Sequence, residues 1–233
     1  MQVFVINLAA AADRLSYMSH QLGGKYERID AVDGLAVPRH LAYYFSGPSD
    51  LGAGEIGCYA SHLLAAEQIL ARQLPYAVIL EDDVELDPDF HEVVGRCASI
   101  LQAWDVVSLS GAKQHPHIRL SQVSSNRHVV RYLHFPKTTA AYLLSNAGSR
   151  KLLLHRPRRR PVDVDIRYGW EMGLDGYGIF PPPAHQCGKF ASLIPKAPQR
   201  FYWRKDPLGY AVGRISEARK LGIFNLIRVL AAR

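Results

Sequence analysis

The chain contains 233 residues, of which 48% are hydrophobic and 21% are charged, and this is the composition of an ordinary globular protein with a substantial core. No apolar run reaches the length of a transmembrane helix, and Met1–Leu8 has neither a basic leader nor a cleavage site, so the sequence predicts no membrane span and no signal peptide. Cys58, Cys97 and Cys187 are odd in number and widely spaced, which argues against the usual disulfide and zinc patterns and favours a cytoplasmic location.

The formal net charge of +7 is unevenly distributed along the chain. Residues 196–233 contain nine Lys or Arg residues but only two acidic residues, Asp206 and Glu217, whereas residues 1–195 are balanced. Such a distribution indicates an anionic partner that is met at one end of the molecule. We therefore predict a single catalytic domain over residues 1–195 and a basic tail over residues 196–233.

Hydrophobic periodicity predicts strands that alternate with helices over the first 110 residues. The strands are expected at residues 3–8, 26–29, 77–84 and 106–109, and the helices at residues 13–22, 55–72 and 87–102. In the last of these helices, Asp87 is the expected N-cap and Pro88 the first helical residue. The pattern continues with a loop at 110–127, strands at 129–133 and 139–144, and a helix capped by Ser145. This alternation favours an α/β fold with a mainly parallel sheet flanked by helices.

The chain is organised around Ala77–Val84, where four apolar residues run directly into the carboxylates of Glu81, Asp82 and Asp83. A short apolar run suits a strand that is buried on both faces, and open α/β sheets bind ligands at the carboxyl ends of such strands. Adjacent carboxylates repel each other unless a cation neutralises them, and hard oxygen ligands favour magnesium, manganese or calcium. Two interpretations remain: a divalent-metal site that holds a diphosphate, or a strand that ends in an acidic surface turn.

Four segments of the sequence match one known pattern. They are Val5–Leu8 with Arg14, Ala31–Gly34, Gly54–Cys58 with Ser61 and His62, and Ile79–Asp83. On these segments the chain resembles glycosyltransferase family 25, the bacterial lipooligosaccharide galactosyltransferase family that also includes collagen galactosyltransferase domains. The resemblance implies a GT-A-like nucleotide-sugar-binding fold, inverting transfer, a metal-bound uridine-diphosphate (UDP) sugar as donor and a glycan as acceptor.

Glu81 and Asp83 are the predicted metal ligands, because residues two apart in an extended segment point the same way. Asp82 then faces elsewhere, and we expect it to contact the donor. His185, which follows three prolines, is the predicted third ligand, and an ordinary loop histidine is the alternative. A manganese or magnesium ion at this site would stabilise the charge that builds on the departing diphosphate.

Three further residues are predicted to bind the donor. Asn7 and Arg14 frame the first strand-to-helix loop, where open α/β sheets place nucleotides and where a guanidinium can grip a phosphate. For Arg14 the alternative is an arginine on the surface of a helix. Asp33 is typical of a turn, and the resemblance also implies a contact between this residue and the nucleoside.

Glu55, Ser61 and His62 are predicted to contact the acceptor. Glu55 near a helix N-terminus is equally explained as favourable capping. Ser61 and His62 fit either a packed helix face or an acceptor pocket. Because two residues adjacent in sequence cannot by themselves form a nucleophile–base pair, the sequence argues against a hydrolase triad here.

Inverting transfer requires a general base that takes the proton of the acceptor hydroxyl. The candidates are Asp163 and Asp165, which follow the basic stretch Arg156–Pro161, and the resemblance favours Asp163. The alternative is that Asp163 caps the helix that begins near Val164. Arg158–Arg160 either contacts phosphates or forms a solvated turn.

The basic tail combines aromatic residues with a helical pattern. Phe201–Trp203 lies among basic residues, and the last twenty residues place apolar side chains on one broad face, formed by Ile215, Ile223, Leu226, Ile227 and Leu230. This pattern is typical of an interfacial helix for an anionic membrane or a lipid-linked glycan, which predicts a peripheral protein on the inner face of the cytoplasmic membrane. A terminal helix docked on the domain explains the pattern equally well.

Two other functions remain open. A metal-dependent phosphohydrolase would use the same carboxylates, but the sequence offers no clustered His and Asp set for a two-metal centre. The pI near 9.4 is consistent with a nucleic-acid-binding module. However, the body of the chain is charge-balanced and has no known nucleic-acid motif, so no nucleic acid is expected as partner. The favoured function is a glycosyltransferase that moves galactose from UDP-galactose to a lipooligosaccharide.

Overall fold

The computed structural model describes residues 1–111, 115–194, 200–222, 224, 225 and 227. Ten strands are present in this part of the chain: β1 Gln2–Asn7, β2 Glu27–Asp30, β3 Tyr76–Glu81, β4 Val84–Leu86, β5 Val106–Ser108, β6 His117–Gln122, β7 His128–Tyr132, β8 Ala141–Ser145, β9 Gly176–Phe180 and β10 Ala184–Gln186. Six α-helices accompany them: α1 Ala12–Leu22, α2 Ala53–Ala71, α3 Phe90–Ile100, α4 Asn146–Leu152, α5 Val162–Arg167 and α6 Pro207–Leu221. Short 3-10 helices lie at Arg39–Phe45, Gly169–Met172 and Tyr202–Arg204.

Eight strands form one central sheet in the order β2-β1-β3-β8-β5-β9-β7-β6, and β4 pairs with β10 in a small second sheet. β1 is parallel to β2 and to β3, as the alternating pattern predicts. β8 lies between β3 and β5 and is antiparallel to both, so the second half of the sheet is mixed. The predicted α/β class with helices flanking the sheet is confirmed. The direction of β8 was not predictable, because an apolar run that is buried on both faces looks the same in either direction.

The core consists of two apolar layers on opposite faces of β3. Val78 and Leu80 pack with the residues of α1 and α3, whereas Ala77 and Ile79 pack with those of α2 and α5. This division follows from the alternation of side chains along a strand. Because both faces are covered, β3 is a rigid support for the residues at its carboxyl end.

Two predicted helix starts have different outcomes. Ser145 caps α4 as predicted, since its hydroxyl accepts a hydrogen bond from the Gly148 N–H at 2.9 Å. The helix expected from Asp87 begins instead at Phe90, as α3. The Asp87 carboxylate is bound by the Arg127 guanidinium at 2.6 Å, so it is not available to cap a helix.

The C-terminal helix α6 docks on the body of the protein, which is the alternative that the sequence left open. A Cβ at Gly213 would lie 2.0 Å from the Trp170 indole nitrogen, so the backbone of the helix approaches this ring directly. Leu221 is buried, and the Arg214 guanidinium donates to the Leu133 carbonyl at 2.8 Å. Ile223, Leu226 and Leu230 of the predicted apolar face lie outside the described residues. The division of the chain at residue 195 stays a prediction.

None of the helices in the described part of the chain is both long enough and apolar enough to cross a membrane.

Candidate functional site

A cleft of about 450 Å³ opens at the carboxyl ends of β1 and β3. The two strands are parallel, with Ile6 paired to Glu81, so their carboxyl ends meet at one edge of the sheet. The loop after β2, the first turns of α2 and the segment 192–194 form the walls of the cleft. This is the position where open α/β sheets bind ligands.

Asp82 is held inside the protein by the two residues that were predicted to bind the donor with it. Its carboxylate accepts hydrogen bonds from the Asn7 amide at 2.7 Å and from the Arg14 guanidinium at 2.9 Å. A second nitrogen of Arg14 donates to the Ala191 carbonyl at 2.5 Å. The structure therefore brings Asn7, Arg14 and Asp82 together as predicted, but Asp82 is already neutralised, which leaves the other two carboxylates to face the cleft.

Asp83 is the carboxylate whose charge is poorly compensated. Its side chain is buried, and Oδ1 has no hydrogen-bond partner among the described residues. Burial and the neighbouring Glu81 raise the pKa of Asp83 to about 6, although Arg14, whose Nη1 lies 3.7 Å from Oδ2, opposes this shift. A buried carboxylate oxygen without a partner is expensive unless a cation binds it. Asp83 thus fits the role of a metal ligand.

Glu81 lies at the end of β3 and lines the same cleft. Its Oε1 accepts a hydrogen bond from the Thr139 hydroxyl at 2.7 Å and lies 3.5 Å from His62 Nε2. Burial acts to raise the pKa of Glu81, but the contacts with His62 and Thr139 outweigh burial and lower it. Glu81 and Asp83 together provide the hard carboxylate oxygens that a manganese or magnesium ion requires, so the chemistry of the donor set fits the predicted metal.

His185, the predicted third metal ligand, is not brought to these carboxylates. It lies on β10 opposite Glu85, and its Nε2 is 3.2 Å from an oxygen of Asp87. The next residue, Gln186, lines the cleft instead, because successive residues on a strand face opposite sides. The sequence offered His185 as a metal ligand or a loop histidine and predicted no strand here, so it could not give the side of the strand on which this residue lies.

Ser61 and His62 face inward from α2. The Ser61 hydroxyl donates to the Gly57 carbonyl at 2.7 Å and accepts from the Val32 N–H at 2.8 Å, so it ties the loop after β2 to the helix. His62 is fully buried, with Nδ1 2.8 Å from the Tyr142 hydroxyl. Both residues line the cleft at the ends of β1 and β3, which places them on the side of the predicted donor residues.

Two glycines of the matched segments allow the backbone of this loop to touch α2. A Cβ at Gly34 would lie 1.8 Å from the Ala53 carbonyl oxygen, and a Cβ at Gly57 would lie 2.4 Å from the Val32 carbonyl oxygen. Asp33 forms the predicted turn, since its carboxylate accepts from the Leu35 N–H at 2.9 Å, and it lines the cleft. These contacts explain why glycine occupies both positions.

A second cleft of about 640 Å³ adjoins the first. The residues that line both clefts are Cys58, Glu81, Gln186 and Ile194. Glu55 lines the second cleft, where it accepts from the Gly52 N–H at 2.9 Å, as predicted for a cap, and pairs with Arg200 at 2.8 Å. The predicted acceptor residues therefore divide between the two clefts.

Asp163 lines the second cleft. Its carboxylate accepts from the Val164 N–H at 2.8 Å. The alternative that Asp163 caps this helix is wrong, because α5 begins at Val162, with Pro161 at the N-cap and no side-chain cap. Burial is the main cause that raises the pKa of Asp163, Glu81 adds to this effect, and Lys137 opposes it. A half-buried carboxylate of raised pKa at the wall of a cleft has the properties of a general base.

Asp165, the other candidate base, is buried in an ion-pair network. It accepts hydrogen bonds from the Tyr59 hydroxyl at 2.8 Å and from Arg160 Nε at 2.7 Å. Arg158 is also buried and donates to the Leu154 carbonyl at 3.0 Å, whereas Arg159 is exposed, so the predicted solvated turn applies only to Arg159. Both oxygens of Asp165 are engaged by this network, and the structure gives this residue a structural role.

The sequence analysis missed the contribution of Cys58. Cys58, His62 and Glu81 bring one sulfur, one nitrogen and one oxygen within 4.8 Å of one another. The available signal was the spacing of four residues between Cys58 and His62 on a predicted helix, which places both side chains on the same face. The number and spacing of the cysteines did not reveal this group, because its third member, Glu81, comes from a strand.

Three comparisons place these features among known proteins. The model of the family described as "Glycosyltransferase family 25 (LPS biosynthesis protein)" matches residues 1–166. The chain is 34% identical over 185 residues to the probable inactive glycosyltransferase 25 family member 3 of Bos taurus, in an alignment that covers 70% of this chain and 30% of the relative. It is 27% identical over 187 residues to procollagen galactosyltransferase 1 of Danio rerio, over the same shares of the two chains. Among solved structures, A197 from STIV is similar with a TM-score of 0.42 at 10% identity, over 85% of this chain and 100% of that chain.

The alignments with these two curated relatives cover about 30% of the length of each relative.

Proposed function

This chain belongs to glycosyltransferase family 25, and on that premise we propose that it transfers galactose from UDP-galactose to a hydroxyl group of a lipooligosaccharide, with inversion at the sugar carbon and with a divalent metal ion. The observation that carries the proposal is the meeting of two clefts at Glu81. The first cleft contains Asp83 Oδ1, which has no hydrogen-bond partner among the described residues, and the second contains Asp163. Transfer between two substrates requires that both bind side by side, and two adjoining clefts can hold them in this way.

The first cleft supports the binding of a nucleoside diphosphate. Glu81 and Asp83 would hold a manganese or magnesium ion, and the ion when bound supplies positive charge for the leaving diphosphate. Arg14 lies at the same edge, held by Asp82, so its orientation is fixed before a ligand arrives. Asp33 and the exposed Leu35 line the wall that would contact the nucleoside.

The second cleft supports the binding of the acceptor. Asp163 would take the proton of the attacking hydroxyl, and its half-buried position keeps the carboxylate basic enough for this step. Glu55, Gln186 and Tyr202 also line this cleft and offer hydrogen-bonding groups for sugar hydroxyls. An inverting reaction needs the base on the acceptor side, and Asp163 satisfies this requirement.

The outer face of α6 supports a lipid-linked acceptor at a membrane surface. Leu208, Val212 and Ile215 are 81%, 68% and 54% exposed and follow the spacing of a single helix face. Arg204 and Arg219 are exposed on either side of this stripe along the chain. Apolar residues between basic ones favour contact with an anionic membrane, and we propose a peripheral location on the inner face of the cytoplasmic membrane.

The proposal is tested by a panel of UDP-sugars with manganese and a truncated lipooligosaccharide as acceptor. We expect turnover with UDP-galactose, a loss of at least a hundredfold in Asp83→Asn, and unchanged turnover in Glu92→Gln, a variant of an exposed residue on α3. One of the two named relatives is described as probably inactive, so this assay also decides whether the chain is active. Release of UDP that is the same with and without acceptor would indicate a hydrolase and overturn the proposal.

A further inference from the structure

We propose that the wall between the two clefts contains a site for a zinc-class metal ion, formed by Cys58 Sγ, His62 Nε2 and a carboxylate oxygen of Glu81. One ligand atom from each residue lies within 4.8 Å of those of the other two, and His62 Nε2 is 3.5 Å from Glu81 Oε1. One thiolate, one imidazole and one carboxylate form a ligand set that suits zinc, which binds these three ligand types at about 2.0–2.3 Å. Magnesium and manganese prefer oxygen ligands, so this site differs chemically from the pair formed by Glu81 and Asp83.

The fold brings the three ligands together from two rigid elements. Cys58 and His62 are four residues apart on α2, so both side chains project from the same face of the helix. Glu81 ends β3, which is packed on both faces and lies beneath this helix face. The spacing of two ligands four residues apart is also the spacing of the histidine pair in helical zinc-binding motifs.

His62 provides the second observation that points to a ligand. The residue is fully buried, and its Nε2 makes no hydrogen bond of good geometry among the described residues; its contact with Glu81 Oε1, which lowers the pKa of Glu81, is long at 3.5 Å. Nδ1 is 2.8 Å from the Tyr142 hydroxyl, and when Nδ1–H donates to that oxygen, the lone pair of Nε2 faces the group. Zinc-bound histidines commonly have such a partner on the other ring nitrogen.

Cys58 lines both clefts and lies among several carboxylates. Burial is the main cause that raises the pKa of the Cys58 thiol, and Glu81, Asp163, Asp83 and Glu55 add to this effect, so the free thiol keeps its proton until a metal ion displaces it. When zinc binds, the thiol releases its proton to the solvent and the thiolate becomes a ligand. Three protein ligands would leave a fourth position for water or another ligand.

One consequence depends on the proposed function. Because the zinc site and the manganese site share Glu81, an ion in one site withdraws a ligand from the other. Zinc is therefore expected to inhibit transfer that is supported by manganese. Zinc bound in the wall between the two clefts would thus lower the rate of transfer.

The binding itself is tested on the full chain with cobalt(II), a spectroscopic substitute for zinc, under reducing conditions. We expect one cobalt ion to bind with a thiolate-to-cobalt absorption in the near ultraviolet, and zinc to displace it. The absorption should be lost in Cys58→Ser and the affinity lowered at least tenfold in His62→Gln. The matched controls Cys97→Ser and Cys187→Ser, which remove buried cysteines outside the group, should retain it.

An absorption that persists in Cys58→Ser, or no absorption in a wild-type protein whose circular dichroism shows that it is folded, would overturn the inference. Its failure is distinguishable from failure of the proposed function, since cobalt binding requires neither donor nor acceptor. In the transfer assay, zinc inhibition is measured relative to the zinc-free rate of each variant. Equal inhibition of wild type and Cys58→Ser would refute the regulatory consequence.

Discussion

Asp163 and Asp165 are separated by one residue on α5 and have opposite surroundings. Asp163 lines the second cleft with a raised pKa, whereas Asp165 is bound by Tyr59 and the arginines of the preceding loop. Sequence patterns identified both as acidic residues near a helix start but could not separate them. The hydrogen bond between Asp165 and Tyr59 joins residues 106 positions apart, so only the folded structure reveals it.

Substitution separates the two aspartates by their effects. Asp163→Asn should lower kcat by about 10²–10⁴-fold and leave donor affinity and stability nearly unchanged, because it removes a general base. Asp165→Asn should lower the free energy of unfolding by about 3–5 kcal/mol, because it leaves buried arginine charges uncompensated. Kinetics and urea unfolding of both variants measure these effects. Near-normal turnover of Asp163→Asn would remove that residue from the proposed role.

The raised pKa of Asp163 also predicts the pH dependence of transfer. Burial raises this pKa, so the carboxylate takes up its proton at a pH above the ordinary aspartate value of about 4, and kcat falls as the pH decreases through the raised pKa. Lys137 opposes the shift, and Lys137→Gln should therefore move the acidic limb of the profile to higher pH. A limb at the ordinary aspartate value, or one that Lys137→Gln does not move, would contradict this assignment.

The sequence predicted that the carboxylates at the end of β3 form a site, but it gave less information on the role of each one. The sequence identified Glu81, Asp82 and Asp83 as a group, but β3 ends at Glu81, so strand alternation does not govern the next two residues, and the choice of Glu81 and Asp83 as metal ligands stays a prediction. The contacts of Asp82 with Arg14 and Asn7 join residues 68 and 75 positions apart. Only the resemblance indicated that these residues belong to one site, since local patterns carry no information about such separations.

At the scale of elements, the close packing of the loop after β2 against α2 shapes the first cleft. Gly34 and Gly57 let the two backbones touch, and Ser61 bonds the Val32 N–H. The sequence predicted the helix and the turn, and for Ser61 it left a packed helix face and an acceptor pocket open; the hydrogen bonds of Ser61 fit the packed face, and its contact with the acceptor stays a prediction. A periodic pattern shows that a helix face is buried and does not show what covers it.

Gly57→Ala tests this contact. A Cβ at position 57 would lie 2.4 Å from the Val32 carbonyl oxygen, so the loop must move, at a cost of about 1–3 kcal/mol in the free energy of unfolding and with weaker UDP binding. Gly95→Ala on α3 is the matched control, because no atom lies within 4 Å of the added Cβ. The control should be stabilised by up to about 1 kcal/mol. Equal effects of the two variants in urea unfolding and calorimetry would show that the close approach does not shape the cleft.

At the scale of the whole molecule, β3 divides the sheet into a parallel half that the sequence predicted and a mixed half that it did not. The parallel half contains β1, β2 and β3, whose alternation with helices is visible in the sequence. In the mixed half, β8 pairs with β3 and β5, and β9 reaches the sheet from a distant part of the chain. Long-range pairing of this kind leaves no local signal, so the second cleft could not be predicted.

The docked helix α6 allows a test of the membrane proposal without deletion of the tail. The triple variant Leu208→Ser, Val212→Ser and Ile215→Ser removes the exposed apolar stripe and leaves the buried face with Gly213 and Leu221 intact. Because each fully buried aliphatic side chain contributes about 1.5–3 kcal/mol, binding to anionic liposomes should weaken more than tenfold with no loss of thermal stability. Sedimentation with liposomes measures this.

Leu120→Ser, an exposed leucine on β6, is the matched control and should bind liposomes as the wild type does. Equal sedimentation of the triple variant and the wild type would argue that α6 serves only to complete the domain.

The most direct test of the central claim, that the acidic end of β3 holds a divalent ion together with a nucleoside diphosphate, is calorimetric titration of UDP with and without manganese. The account predicts that UDP binds at least tenfold more tightly with manganese, that Asp83→Asn abolishes this gain, and that Glu92→Gln retains it. UDP affinity that is independent of manganese, or a gain that survives in Asp83→Asn, would contradict the account.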